Sequence, residues 1–309
     1  MSQQIGSLLD GKYELIRLLG EGGMGAVYEA RHQLIGRRLA VRFLHPQYAS
    51  SEEVVTRFHR EAQAAARIGH ENIIEVTDMG TSPDDGAPYI VMEFLEGTDV
   101  RGLLDEVGVL PVKRAAHIMV QALSALQAAH CVDIIHRDLK PENIFLIPKG
   151  SNPDYVKLLD FGISKFRALE SDQAKGLTQT GTVLGTPHYM SPEQARGDQN
   201  ITHRSDIYAM GVILYQMLTG HLPFDAANYN ALLIKILTEE PPAPEELNPD
   251  LPPEMIETVN RAMARDENER FADCDDFRRH LLPFAPGASD VTSQLTTSSR
   301  TAIREALYS

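Results

Sequence analysis

Two runs of residues in this chain have types and spacings that could do chemistry. The first is Gly20-Glu21-Gly22-Gly23-Met24-Gly25-Ala26-Val27. Its glycines let backbone N–H groups come close to phosphate oxygens. It lies between two short apolar or alternating stretches, Tyr13 to Gly20 and Ala26 to Ala30, so it reads as a hairpin loop. A dinucleotide fold needs a strand-to-helix turn here, and a Walker loop needs Gly-Lys-Ser/Thr, so the run argues against both. Taken alone, it also matches an ordinary flexible hairpin. The second run is His136-Arg137-Asp138-Leu139-Lys140-Pro141-Glu142-Asn143, followed 17 residues later by Asp160-Phe161-Gly162. It sets carboxylates, an ammonium and a carboxamide in a short span. Any one of these alone reads better as a solvated loop charge. Their common register carries the signal.

The elements that must position these residues fall into two regions. Residues 13 to 95 read mainly as strands with one helix. Arg38 to Leu44 is a third strand after a turn at Gly36. Glu52 to Ile68 is helical, with Val54, Phe58, Ala62 and Ala65 at helical spacing and Ser50 with Glu53 as a capping box. Ile73 to Met79 and Pro88 to Leu95 read as two more strands. From about residue 98 the pattern becomes helical. Pro111 suits a first helical turn. Ile207 to Leu218 is apolar nearly all round and stops at Gly220, which predicts a buried central helix. Further helices are expected near Tyr229–Leu237, Pro253–Ala264 and Ala272–Leu282. Residues from about Ala285 to Ser299 are rich in Ser and Thr and read as a flexible tail, with a short helix over Thr301 to Leu307.

Composition bounds the reading. The chain has 309 residues, 43% hydrophobic and 23% charged, which suits a globular protein with a sizeable core. No stretch reaches the roughly 18 apolar residues of a membrane span. The start lacks the basic and apolar regions of a secretory signal. Cys131 and Cys274 stand far apart and suggest no disulfide framework or metal site, so a cytoplasmic setting is expected. A net charge of -14 without any basic run argues against nucleic acid as a partner and favours a basic or cationic one.

On the His136–Asn143 and Asp160–Gly162 runs, the chain resembles the eukaryotic-type (Hanks-type) protein kinases, in their serine/threonine branch. Thr186-Pro-His-Tyr-Met-Ser-Pro-Glu193 and Arg204-Ser-Asp206-Ile-Tyr-Ala-Met-Gly211 add to the likeness. Arg60-Glu61-Ala62, Tyr89-Ile-Val-Met-Glu93 and Ser191-Pro-Glu-Gln-Ala-Arg-Gly197 give it a bacterial look. The resemblance implies an α+β, two-lobed fold. A kinase domain would span 13–283, with a strand-rich lobe over 13–95, a helical lobe over 96–283 and a tail over 284–309. It implies ATP with Mg²⁺, or Mn²⁺ in its place, and transfer of the γ-phosphate to Ser/Thr hydroxyls of protein substrates. Asp138 would accept or orient the substrate hydroxyl, Lys140 would sit beside the moving phosphate, and Asn143 and Asp160 would hold the metal. Gly20, Gly22 and Gly25 would cover the phosphates. Val27 and Ala40 above and Phe145 below would enclose the adenine, with Met92 at the back and the backbone of Glu93 and Leu95 reading the base edge. Thr178 and Thr180 would take regulatory phosphate, made in a transient homodimer, and pair it with Arg137 and Lys165. Thr186 would contact the catalytic loop. Asp206 is expected to brace that loop, Glu193 to pair with Arg270, and His136 to be a packed core histidine.

One position departs from the family. Its members carry a lysine where this chain has Arg42, and that lysine pairs with a helix glutamate, here Glu61. Arginine keeps the charge and is expected to bridge to Glu61 in a two-pronged way. Its rigid fork does not replace a compact ammonium at a tight phosphate site. Weak activity is expected. No other lysine offers itself, since Lys12 is the only one before Lys113 and the relocated position known in one kinase group is Gly25 here. Asp133 stands where many relatives have glycine, and Asp tolerates the unusual backbone angles. The competing expectation is a pseudokinase that binds nucleotide or a partner without turnover. A small-molecule kinase is disfavoured by the Ser191-Pro192-Glu193 segment and the Thr-rich loop, which present a peptide.

Overall fold

A computed structural model describes residues 5–160 and 187–285. Its strand-rich part is one antiparallel sheet of β1 (Leu8–Leu9), β2 (Tyr13–Glu21), β3 (Gly25–His32), β4 (Arg38–Leu44), β5 (Val76–Thr81) and β6 (Pro88–Glu93), in the order β1-β2-β3-β4-β6-β5. Val27 pairs with Arg42, Ala40 with Met92 and Arg42 with Ile90. Cross-strand partners share a face, as do residues two apart on a strand. Val27, Ala40, Arg42, Ile90 and Met92 therefore lie on one face. The other face sends Tyr28, Val41, Phe43, Tyr89 and Val91 into an apolar cluster with Tyr13 and Leu15.

The first face is covered by α2 (Glu52–Ile68), whose Phe58 and Ala62 pack with Leu44 and Ile90. This contact fixes where Glu61 points relative to β4. The helix has the bounds its sequence suggests, but its cap lies one residue later than expected. Ser51 is the N-cap, its hydroxyl accepting from the Val54 N–H at 3.5 Å. Ser50 instead closes a short preceding helix, α1 (Pro46–Ala49), which takes up the residue that the capping box needed. The strand expected at Ile73 to Met79 is also displaced, to Val76–Thr81. Ile73 makes only an isolated bridge to Leu158.

The second region is not helical throughout, as its pattern suggests. After β7 (Thr98–Asp99), α3 (Val100–Val107) and α4 (Val112–His130), the chain forms β8 (Ile144–Lys149) and β9 (Asn152–Leu158), which pair with β7 in a three-stranded sheet. Pro111 is the N-cap of α4 rather than part of its first turn, with an extended ψ of 141°. The later helices are Pro192–Arg196, Arg204–Thr219, Tyr229–Thr238, Pro244–Leu247, Pro253–Ala262 and Cys274–Leu281. Every residue from Ser205 to Thr219 is buried, and the helix ends at Gly220 in the left-handed region, φ 76°. Fully burying one Leu, Ile or Met side chain is worth about 1.5–3 kcal/mol. This helix is therefore the anchor against which the segment of residues 136–143 is set. Among the described residues, no helix is long and apolar enough to cross a membrane.

A buried ion pair holds the lower part together. Both oxygens of Glu193 accept from Arg270, at 2.7 and 2.8 Å, and the side chains are 6% and 0% exposed. Burial works to raise the Glu193 pKa, but the bonds and charge of Arg270 outweigh it and hold it at about 2, against an ordinary 4.5. A depressed carboxylate stabilises the fold fully above its unfolded pKa, and that stability drains away as pH falls through the folded one. The pair therefore contributes about 3 kcal/mol at neutral pH, lost between about pH 4.5 and 2. Arg270→Ala is expected to destabilise by about 3–5 kcal/mol, because it strands a buried charge. Denaturant titrations from pH 7 to 3 check this. An Arg270→Ala protein as stable as the parent at pH 7 would show that the pair is not structural.

Candidate active site

The segment of residues 136–143 is held by backbone contacts and not by sequence proximity alone. Asp206, at the start of the buried helix, accepts from the His136 and Arg137 N–H groups, both at 2.8 Å, and meets His130 Nε2 at 2.8 Å. Burial pushes the Asp206 carboxyl up, but the hydrogen bond and charge of His130 prevail and its pKa is lowered. It is thus an ionised brace. His136 is fully buried with Nε2 on the Leu159 carbonyl at 2.9 Å, the packed core histidine expected.

Three further contacts bring the site segments together. Asn143 donates its side-chain N–H to the Asp138 carbonyl at 2.7 Å. Leu159 N–H donates to the Asn143 carbonyl at 2.9 Å. Arg42 Nη1 donates to Asp160 Oδ1 at 2.7 Å. Asp138, Asn143 and Asp160 are therefore on segments bonded to one another, below the sheet face that carries Arg42. Arg137 and Asp160 both adopt left-handed backbone, φ 66° and 45°, as does Asp133 at 59°. Non-glycine residues held there cost roughly 1–3 kcal/mol each and persist only where surroundings impose them. The Nε of Arg137 is buried with no hydrogen-bond partner among the described residues.

At position 42 the two-pronged bridge to Glu61 does not form. One nitrogen, Nη1, serves both Glu61 Oε1 at 3.0 Å and Asp160 Oδ1 at 2.7 Å. The Arg42 and Glu61 side chains are only 21% and 11% exposed. Two carboxylates thus share one cation. The neighbouring Asp160 charge raises the Arg42 pKa, and burial pushes the Glu61 carboxyl up, to about 7, with Arg42 pulling the other way. Among the described residues, Glu61 has no lysine partner in place of Arg42. Lys12 is at the far edge of the sheet with Asp10 and Asp78, at 3.1 and 3.7 Å. A Cβ at Gly25 would collide with the Phe43 carbonyl oxygen, so that position admits glycine only.

The pocket residues are placed as follows. Val27, Ala40 and Met92 share the Arg42 face, and Met92 packs on the Phe58 cluster. Phe145 pairs with Lys157 across β8 and β9, so the two share a face. Lys157 Nζ reaches Glu93 Oε1 at 2.6 Å, which turns that face toward the β6 end. Leu95 lies between β6 and β7, half-buried. In the glycine loop, Gly20 and Gly22 have open space around them, and the Gly22 carbonyl is bound by His45 Nε2 at 2.8 Å. That His45 contact was not foreseen. Lys140 is half-buried on the same segment as Asp138. Thr178, Thr180, Thr186, Lys165 and the tail beyond 285 lie outside the described residues.

The donor set fits a magnesium ion in type. Asn143 turns its amide N–H to Asp138, leaving its oxygen as acceptor, and Asp160 offers a carboxylate. Among the described residues, no group of three His, Cys, Asp or Glu side chains could hold a metal alone. Magnesium habitually completes its shell with substrate phosphates and water.

Comparison with known proteins identifies the family. The protein kinase domain family matches residues 13–281. Serine/threonine-protein kinase pkn3 of Myxococcus xanthus is 44% identical over 281 residues, covering 90% of this chain and 51% of the relative. Serine/threonine-protein kinase PrkC of Bacillus subtilis is 39% identical over 277 residues, covering 90% and 41%. The chain thus spans about half or less of these relatives' length. The kinase domain of Mycobacterium tuberculosis PknI superposes with a TM-score of 0.69 at 28% identity, covering 92% of this chain and 100% of that one.

Proposed function

Because this chain belongs to the protein kinase domain family, we propose that it transfers the γ-phosphoryl group of ATP to serine and threonine hydroxyls of proteins, and that Arg42 slows the transfer. The observation that supports this most is the bonded connection of Asp138, Asn143 and Asp160 beneath the Arg42 face. The kinase domain would be residues 13–283. In this reading the Asp138 carboxylate orients the substrate hydroxyl and takes its proton as the oxygen attacks phosphorus and the bond to ADP breaks. The Lys140 ammonium neutralises charge on the moving phosphoryl group. Asn143 and Asp160 would hold Mg²⁺, which supplies charge neutralisation at the phosphates when bound. Val27, Ala40, Met92 and Phe145 would enclose the adenine against the backbone of Glu93 and Leu95, with Gly20, Gly22 and Gly25 over the phosphates. Thr178 and Thr180 would receive phosphate between two copies of the chain, and Arg137, whose Nε has no hydrogen-bond partner among the described residues, would pair with it.

A second reading has support from one contact. With Asp160 bound to Arg42, the chain could hold nucleotide or a partner without turnover. Phosphoamino-acid analysis after incubation with radiolabelled Mg-ATP and a Thr-containing peptide separates the two. Slow incorporation at serine and threonine, with none at tyrosine, is expected. No incorporation on any residue would favour the scaffold.

A further inference from the structure

The contact between Arg42 and Asp160 has a consequence for metal binding, resting on the phosphotransfer reading of the site. Asp160 has two carboxylate oxygens, and Oδ1 is held by the guanidinium at 2.7 Å. The same nitrogen is held from the other side by Glu61 at 3.0 Å. The Phe58 ring lies 5.9 Å from the guanidinium carbon, so an apolar wall backs the group. The side chain is therefore held by two carboxylates beside an aromatic ring.

A divalent cation on Asp160 would need the same carboxylate and would stand beside a permanent positive charge. Arginine cannot relieve the conflict by losing a proton, since a guanidinium stays charged at any ordinary pH. Its departure would also strip Glu61, whose side chain is 11% exposed, of this ion-pair partner.

We infer that Arg42 acts as a built-in cation that competes with the divalent metal for Asp160, so that nucleotide binding by this chain gains little from metal. Arg42 is then a positioning residue for the metal ligand, apart from any effect on the phosphates themselves. The cost of arginine at this position falls on metal coupling, and the family lysine pattern alone does not indicate it.

The test is isothermal titration of the 309-residue protein with ADP, once with excess EDTA and once with magnesium chloride. ADP carries no transferable γ-phosphate, so the readout is affinity and not activity. Coupling between two ligands usually runs about 5–150-fold. The parent protein is expected to gain less than about 3-fold in ADP affinity from magnesium, and Arg42→Met to gain about 10-fold or more, within that range. Asp160→Asn should leave the parent's small gain unchanged and abolish the gain in the Arg42→Met background, a non-additivity that marks a direct link. If Arg42→Met does not fold, Arg42→Lys is read in its place, with a smaller rise expected.

An equal magnesium gain in the parent and the position-42 variants would overturn the competition while leaving the kinase reading intact. A parent gain of about 10-fold or more that Asp160→Asn abolishes would overturn it too, since Asp160 would then serve the metal unhindered by Arg42. Absence of ADP binding in every variant, with or without magnesium, would sink both the inference and the nucleotide site it rests on.

Discussion

Arg42→Lys is expected to raise the initial rate of phosphate incorporation at saturating Mg-ATP by at least about tenfold, and by up to the 10²–10³ that one charge-stabilising contact at a transition state is worth. The structure gives the reason. A lysine ammonium is a compact charge with three rotatable donors, while the guanidinium is a planar fork. Here that fork places a single nitrogen between Glu61 and Asp160, at 3.0 and 2.7 Å. A phosphate that must find its positive partner on this side meets one already committed to two carboxylates. Misplacement by about 1 Å alone costs a factor near 10². Rates measured for the two proteins side by side, with unfolding curves for each, check the prediction. Equal and robust incorporation would show that Arg42 is not the brake.

Asp138→Asn, introduced together with Arg42→Lys, should remove about 10²–10⁴ of the rate gained, the usual contribution of a positioned general base. The fold should be little changed, because the loop is braced through other atoms. Asp206 holds the His136 and Arg137 N–H groups, and Asn143 binds the Asp138 carbonyl and not its carboxylate. Circular dichroism and the denaturation midpoint report on folding, and single-turnover transfer reports on chemistry. Full transfer by the Asp138→Asn protein would assign the proton to another group.

How much of this was legible in the sequence differs from element to element. The helix Glu52–Ile68 and the buried helix Arg204–Thr219 announce themselves by period and by unbroken apolarity. The brace at Asp206 and the pair of Glu193 with Arg270 were expected only from the resemblance, since the pair joins residues 77 apart. The hairpin of β8 and β9 was missed. Its strands are short and follow a long helical stretch, although the apolar run Ile144-Phe-Leu-Ile147 and the turn at Gly150 carried the signal. The cap fell on Ser51 and not Ser50 because neighbouring serines offer the same hydroxyl, and only the preceding short helix decides between them. The bond from Arg42 to Asp160 spans 118 residues and depends on how the sheet meets the catalytic segment. No spacing rule reaches that far. The same holds for His45 on the Gly22 carbonyl, where a histidine three residues past Arg42 gives no hint of its partner.

The account depends on Asp138, Asn143 and Asp160 acting together on the terminal phosphate of ATP. Phosphosite mapping by mass spectrometry tests this most directly. Three phosphatase-treated proteins are incubated with Mg-ATP: the parent, Arg42→Lys, and Arg42→Lys with Asp138→Asn. The account predicts phosphothreonine at Thr178 and Thr180, trace in the first, abundant in the second and absent in the third. A second protein without phosphate on any residue, or a third as heavily modified as the second, would contradict it.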